Sequence, residues 1–146
     1  VESVGTGAFG FNNALTKINI SRCHSFGRHV FAGDGSNAAV LINLIDLHIG
    51  INLNDSINLG GVYWNPVNAY SNTSRSLVPA DVQALHPEWY NRDYLLYCLR
   101  EHFAANLPDR TGQTALTITF ATTMKTHINN SPETVAAFTD KNWIIA

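Results

Sequence analysis

Apolar residues recur in the same order twice within the first 49 residues of the chain. Five positions repeat with an offset of 22 residues: Val1, Val4, Gly5, Ala8 and Phe9, then Cys23, Phe26, Gly27, Val30 and Phe31. Each copy leads into an alternating apolar tail, with Leu15, Ile18 and Ile20 in the first and Leu44, Leu47 and Ile49 in the second. A unit this short cannot bury its apolar side chains alone. The pattern therefore predicts stacked coils whose tails pair as a parallel sheet, Ile18 beside Leu47 and Ile20 beside Ile49.

The alternation ends after Leu59, at the pair Gly60-Gly61. Residues 60–91 hold many aromatic residues among Asn, Ser and Pro, and they show no sustained hydrophobic period. We expect this segment to be an irregular insert, because a long stretch without its own period is typical of a functional or inserted loop.

Residues 92–146 have clearer local signals. Asn91 is a candidate N-cap for a helix over 92–106, and the alternating stretch 114–120 predicts a strand. The sequence Ser131-Pro132-Glu133 is typical of a helix start. Asn142 follows that helix and tolerates a left-handed conformation, so we predict a positive φ there and a short closing strand after it.

The doubled pattern resembles the BspA-type leucine-rich repeat, in which I-x-x-I-G-x-x-A-F is followed by L-x-x-I-x-I. Residues 107–120 and 139–143 resemble the terminal segment of many such bacterial and phage proteins. The resemblance implies an α/β fold: a short leucine-rich-repeat solenoid with a parallel sheet over 1–59, the irregular insert over 60–91, and a helix-containing C-terminal cap over 92–146, all in one domain. It also implies an extracellular, cell-surface or virion location.

Composition narrows the classes of partner. Charged residues make up 14% of the 146-residue chain and the net charge is −2, so we expect no nucleic-acid partner. No apolar run reaches the roughly 20 residues that span a bilayer. Cys23 and Cys98 could form a disulfide, but Cys23 takes the repeat position of Val1, which favours a buried thiol.

Catalytic and metal-binding motifs are not recognisable. The histidines His24, His29 and His48 have no spacing that matches a zinc site. We therefore predict no catalytic residue, no metal and no cofactor. Aromatic rings beside amides and hydroxyls suit carbohydrate stacking and protein interfaces, although they could also simply cover the core. The candidate binding residues are Tyr63, Trp64, Asn65, Tyr70, Trp89 and Tyr90.

These patterns favour a non-enzymatic structural or binding module of a bacterial cell-surface protein or phage particle, acting through protein or glycan contacts. The alternative is a hydrolase-like enzyme that uses the aromatic loop and the histidines. Since Val1 already occupies a repeat position, we expect the first coil to be covered by further repeats, another copy of the chain or another subunit. The predicted interface residues are Val1, Val4, Phe9, Leu15 and Ile18.

Overall fold

The computed structural model describes residues 3–9, 17–20, 22–27, 46–49, 56–59 and 70–146. Five of the predicted binding and interface residues lie outside these ranges, so the predictions made for them are not addressed by the structure: Val1, Leu15, Tyr63, Trp64 and Asn65.

Most strands of the described chain belong to one parallel sheet. In chain order the strands are β1 (Ser3–Val4), β2 (Lys17–Ile20), β3 (Ser25–Phe26), β4 (Asp46–Ile49), β5 (Ile57–Leu59), β6 (Leu116–Phe120) and β7 (Trp143–Ile145). The five-stranded sheet has the order β1-β3-β5-β6-β7, with every neighbouring pair parallel. Two strands of the predicted C-terminal cap thus continue the sheet that the repeat region begins.

The two repeat tails form a separate parallel pair, β2 with β4. Ile18 lies opposite Leu47 and Ile20 opposite Ile49, and Asn19 lies opposite His48. The register predicted from the doubled pattern is therefore confirmed. In a strand the side chains alternate between faces, so a one-residue slip would have placed the two sets of apolar positions on opposite sides.

Four helices lie in the described ranges: α1 (Ala80–Leu85), α2 (Asn91–Cys98), α3 (Thr122–Asn129) and α4 (Pro132–Thr139). The predicted helix over 92–106 exists, but after Cys98 it changes to a π-helical turn at Leu99–Phe103 and a 3₁₀ turn at Ala104–Asn106. Helix α1 lies within the stretch predicted to be irregular.

No helix in the described part of the chain is long and apolar enough to cross a membrane. The architecture is a mixed α/β fold.

The N-cap prediction for Asn91 is wrong by one position, because Tyr90 is the N-cap of α2. The Asn91 side chain is fully buried and bonds instead to the preceding loop. Its Oδ1 accepts from the backbone N–H of Leu77 at 2.8 Å, and its Nδ2 donates to Ser76 Oγ at 3.3 Å. Its own backbone N–H donates to the carbonyl of Ser74 at 2.9 Å. Asn91 thus anchors the loop over 74–77 to the start of α2.

Aromatic rings fill the core between the sheet and the C-terminal helices. The Phe138 ring lies 5.7 Å from Phe120 and 6.0 Å from Phe103, measured between centroids. Trp143 is 1% exposed, and its Nε1 donates to the carbonyl of Pro108 at 3.0 Å. This bond satisfies the indole N–H, which would otherwise be buried without a partner.

Two cysteines lie in the same buried core. Cys23 and Cys98 are free thiols, and both are buried. Burial raises the pKa of the Cys98 thiol to about 11, so at neutral pH it is un-ionised. Cys23 takes the part of a small apolar residue at its repeat position, as predicted.

Candidate functional site

A cavity of about 540 Å³ lies between α2 and the turn that joins α3 to α4. Its lining residues are Arg92, Asp93, Leu96, His127, Asn130, Ser131, Pro132 and Glu133. A smaller cavity of about 170 Å³ shares Asp93, Leu96, Ser131 and Glu133 with it, and adds Trp89 and Arg100. We call the two adjoining cavities the α2–α4 groove.

Helical spacing explains why α2 supplies one wall of the groove. Residues three or four positions apart lie on the same helix face, and Arg92 and Leu96 of α2 have this spacing, as does Arg100 in the turn that follows. Trp89 lies just before the N-cap of α2. The buried side chains of Leu95, Leu99 and Phe103 follow it on another face, which packs into the core. One face of α2 thus stabilises the fold while the other lines the groove.

Asp93 has a structural role as well as a place in the groove. Its Oδ2 accepts from the backbone N–H of Tyr90 at 2.9 Å. This bond satisfies one of the N–H groups at the start of α2 that have no partner within the helix. The Asp93 carboxylate is therefore held in a fixed position where it lines both cavities.

The opposite wall is the end of α3 and the start of α4. Here Ser131 Oγ lies 2.8 Å from Thr134 Oγ1, and Arg100 Nη1 donates to the same Thr134 oxygen at 3.1 Å. Thr134 is fully buried. Because Arg100 extends from the α2 chain segment to α4, this contact joins the two walls and fixes the width of the groove near its smaller cavity.

His127 lies at the other end of the groove, stacked on Tyr70. The two ring centroids are 4.7 Å apart and the planes differ by 17°. Burial, and after it the positive charge of Arg92, lower the pKa of His127. At neutral pH the imidazole is therefore uncharged and offers both a donor and an acceptor nitrogen. Burial also raises the pKa of the Tyr70 phenol.

Trp89 is held by rings on the outer side of α2. His86 stacks on it with centroids 3.9 Å apart and 7° between planes, and Tyr97 lies 5.2 Å away. The carbonyl of Trp89 accepts from Arg75 Nε at 3.1 Å. The indole is half-buried, and these contacts make it a rigid wall of the smaller cavity.

The predicted binding residues divide into three groups. Trp89 lines the groove, and Tyr70 supports His127 at its far end. Tyr90 instead lies under the Arg75 guanidinium, 4.1 Å from the ring centroid. The prediction that Tyr63, Trp64 and Asn65 form part of the site lies outside the described residues.

The predicted interface residues are partly accounted for by the core. Val4 is 8% exposed and belongs to the buried cluster, and half-buried Phe9 packs against that cluster. The Ile18 side chain lies outside what the structure describes. Val4 and Phe9 thus pack mainly within the chain, and β1 contributes its backbone to one edge of the sheet.

The groove also contains charged residues that the sequence analysis did not single out. They are Arg92, Asp93, Arg100 and Glu133. In the described part of the chain neither arginine comes within 4.0 Å of either carboxylate as an ion pair. Helical spacing could have placed Arg92, Leu96 and Arg100 on one face. No sequence signal predicts that the start of α4 packs against that face.

The groove offers donors and acceptors to a polar ligand. Guanidinium groups donate, ionised carboxylates accept, and the amide of Asn130 and hydroxyl of Ser131 can do both. Within the described ranges, no three His, Cys, Asp or Glu side chains are grouped so that they could hold a metal ion. Comparison with protein families, curated proteins and solved structures gives no match to this chain.

Proposed function

We propose that this chain is a non-enzymatic binding module of a bacterial cell-surface protein or phage particle, and that it binds a glycan in the α2–α4 groove. The main support is the cavity of about 540 Å³, whose lining combines guanidinium, carboxylate, amide and hydroxyl groups. The adjoining indole of Trp89 adds an apolar surface. Ligand sites commonly combine a concave shape with a few fixed polar groups.

A glycan fits this lining because each sugar hydroxyl both donates and accepts hydrogen bonds. Arg92 and Asn130 can donate to hydroxyl oxygens, while Asp93 and Glu133 can accept from hydroxyl hydrogens. Cations and carboxylates are present in equal number here, which favours a ligand without net charge. The C–H face of a sugar ring can also stack on an aromatic ring such as Trp89.

The remainder of the proposal concerns the scaffold. Residues 1–59 are proposed to be leucine-rich-repeat coils, supported by the matching registers of β1 with β3 and β2 with β4. Stacked repeats form a rigid support that presents binding surfaces. Within this proposal the repeat region attaches the module to a neighbour, and the groove faces the glycan.

Binding to a panel of neutral trisaccharides, namely maltotriose, cellotriose and chitotriose, tests the proposal by calorimetry. Arg92→Gln and Glu133→Gln should each weaken binding about tenfold or more, the effect of losing a charged hydrogen-bond partner. Lys125→Gln and Glu101→Gln remove one positive and one negative charge outside the groove and should bind normally. Absence of binding to every sugar, or equal loss in all four variants, would contradict the proposal.

An enzyme remains the second candidate, because Asp93, Glu133 and His127 line one cavity. Two carboxylates can act as acid and base in glycoside hydrolysis. Incubating any bound trisaccharide with the protein and following its length by mass spectrometry separates the candidates. An unchanged trisaccharide supports a binding module, whereas cleavage that Glu133→Gln abolishes supports an enzyme.

A further inference from the structure

We infer that the α2–α4 groove binds at least two consecutive units of one oligosaccharide, one unit beside His127 and the next against Trp89. The inference rests on the proposed function and adds the minimum length of the ligand. It starts from the division of the groove into two cavities that share Asp93, Leu96, Ser131 and Glu133.

The volumes support two unequal subsites. Liquid water occupies about 30 Å³ per molecule, so the smaller cavity of about 170 Å³ has room for about six waters. A single pyranose ring with its hydroxyls displaces a similar volume. The larger cavity of about 540 Å³ holds about three times as much, which is more than one ring requires.

The two subsites offer different chemistry. At the larger one, neutral His127 and the Arg92 guanidinium lie together, and the Arg92 charge helps to lower the pKa of His127. This end can hydrogen-bond several hydroxyls. At the smaller one, Trp89 is held by its contacts with His86 and Tyr97. A rigid aromatic ring contributes contact area at little cost in conformational entropy.

The shared residues connect the subsites. Asp93 is held by its bond to the Tyr90 backbone, and Arg100 joins α2 to α4 through Thr134. The carboxylates of Asp93 and Glu133 line both cavities. They can therefore accept hydrogen bonds from hydroxyls on either side of a glycosidic linkage, so that both sugar units belong to one ligand.

Affinity measured against chain length tests the inference. The probes are the monosaccharide, disaccharide and trisaccharide of the series that the wild-type protein binds among maltose, cellobiose and chitobiose homologues. We expect about a tenfold gain from monosaccharide to disaccharide. Trp89→Leu should abolish this gain, so that the monosaccharide and the disaccharide bind with similar affinity. Trp89→Phe keeps an aromatic ring and should retain part of the gain.

Leu85→Ala changes an exposed residue on α1 and serves as the control, since Leu85 is 78% exposed. Far-UV circular dichroism and thermal melting confirm that each variant is folded. Affinity that is independent of chain length, or equal loss for mono- and disaccharide in Trp89→Leu, overturns the two-subsite inference while glycan binding stands. Absence of binding to any sugar by the wild-type protein instead overturns the proposed function.

Discussion

At the scale of single residues, Asn142 shows how one side chain stabilises a turn in two ways. Its φ of 63° is the left-handed conformation predicted from its position after α4. Its Nδ2 also donates to the carbonyls of Arg110 and Gln113, at 3.1 and 2.8 Å. Asn142 therefore tolerates the backbone conformation and connects β7 to the turn before β6.

Substitution of Asn142 separates these two contributions. Glycine keeps the left-handed conformation but loses both side-chain bonds, so Asn142→Gly should lower the free energy of unfolding by about 1 kcal/mol. Valine loses the bonds and also carries the left-handed penalty of about 1–2 kcal/mol, so Asn142→Val should be less stable still. Thermal melts of the three proteins measure this order. Equal melting temperatures for the glycine and valine variants would contradict the backbone contribution.

His127 makes stability depend on pH. Its pKa is lower in the folded protein than its ordinary value of about 6.5. The unfolded chain then binds a proton at this residue more readily than the folded protein does. The contribution of His127 to stability is therefore complete above its ordinary pKa and is lost as the pH falls toward the folded pKa. His127→Gln should flatten the change in the free energy of unfolding between about pH 7 and pH 5. Urea titrations at both pH values measure the change.

Substitution of Arg92 tests the cause of the lowered His127 pKa. The charge of Arg92 is the smaller of the two causes that lower the pKa of His127, after burial. Arg92→Gln should therefore move the His127 pKa part of the way back, which NMR titration of the imidazole protons can follow. If Arg92→Gln leaves the midpoint unchanged, the charge of Arg92 does not act on the ring.

At the scale of the elements, two glycines at matching positions of the doubled pattern have different surroundings. A Cβ at Gly27 would clash with the backbone of the segment that follows β1. It would overlap Thr6 N and would lie 2.7 Å from Gly5 C and 2.9 Å from Thr6 Cα. A Cβ at Gly5 would meet nothing within 4 Å. The two positions match in the doubled pattern, but Gly27 lies against the segment that follows β1. The N–H of Gly27 donates to the carbonyl of Val4 at 2.8 Å.

Alanine at these two positions is a matched test of the close approach between β1 and β3. Gly27→Ala should cost about 1–3 kcal/mol of unfolding free energy, because the backbones of β1 and β3 must move apart. Gly5→Ala should change it by less than about 0.5 kcal/mol. Chemical denaturation of both variants gives the comparison. Equal stability of the two would mean that the close approach at Gly27 does not hold in solution.

Local signals account for the elements that could be predicted from the sequence. The strand β6 and the start of α4 at Pro132 follow from alternation or capping residues within a few positions. The register of β2 with β4 follows from the doubled pattern of the first 49 residues. Helix α3 was missed because it is rich in threonine, a poor helix former, and only Met124 and Ile128 are buried. Helix α1 has six residues and none is buried, so it carries no apolar stripe.

The groove is a different case, because its walls are distant in the sequence. Arg100 and Thr134 are 34 residues apart where they bond. The spacing within α2 defines one wall, but its partner depends on how α4 packs, and this is tertiary information. Trp89 and Tyr70 were recognisable as aromatic residues in a polar setting. For Glu133 the sequence predicts only that an acidic residue stabilises the start of a helix.

At the scale of the whole molecule, the sheet has two edges that differ in character. Among the described strands, β1 pairs only with β3 and β7 pairs only with β6. An edge strand presents unpaired N–H and C=O groups and can pair with another chain. On β7 the edge also carries Ile144, which is 52% exposed. If one edge of the molecule meets the other edge of a second copy, the contact repeats without closing.

Light scattering of the 146-residue chain over a range of concentrations tests whether these edges associate. We expect the average mass to rise with concentration, because a parallel edge at β1 can extend the sheet of a neighbour. Lysine on an edge strand disfavours pairing, so Ser3→Lys at the exposed start of β1 should restore a monomer. Ile144→Lys at the other edge distinguishes the modes of contact. Loss of association in both variants indicates pairing of β1 with β7 of the next copy. Loss in Ser3→Lys alone indicates pairing of two β1 strands. A wild-type chain that stays monomeric at every concentration would show that the β1 edge needs no neighbour.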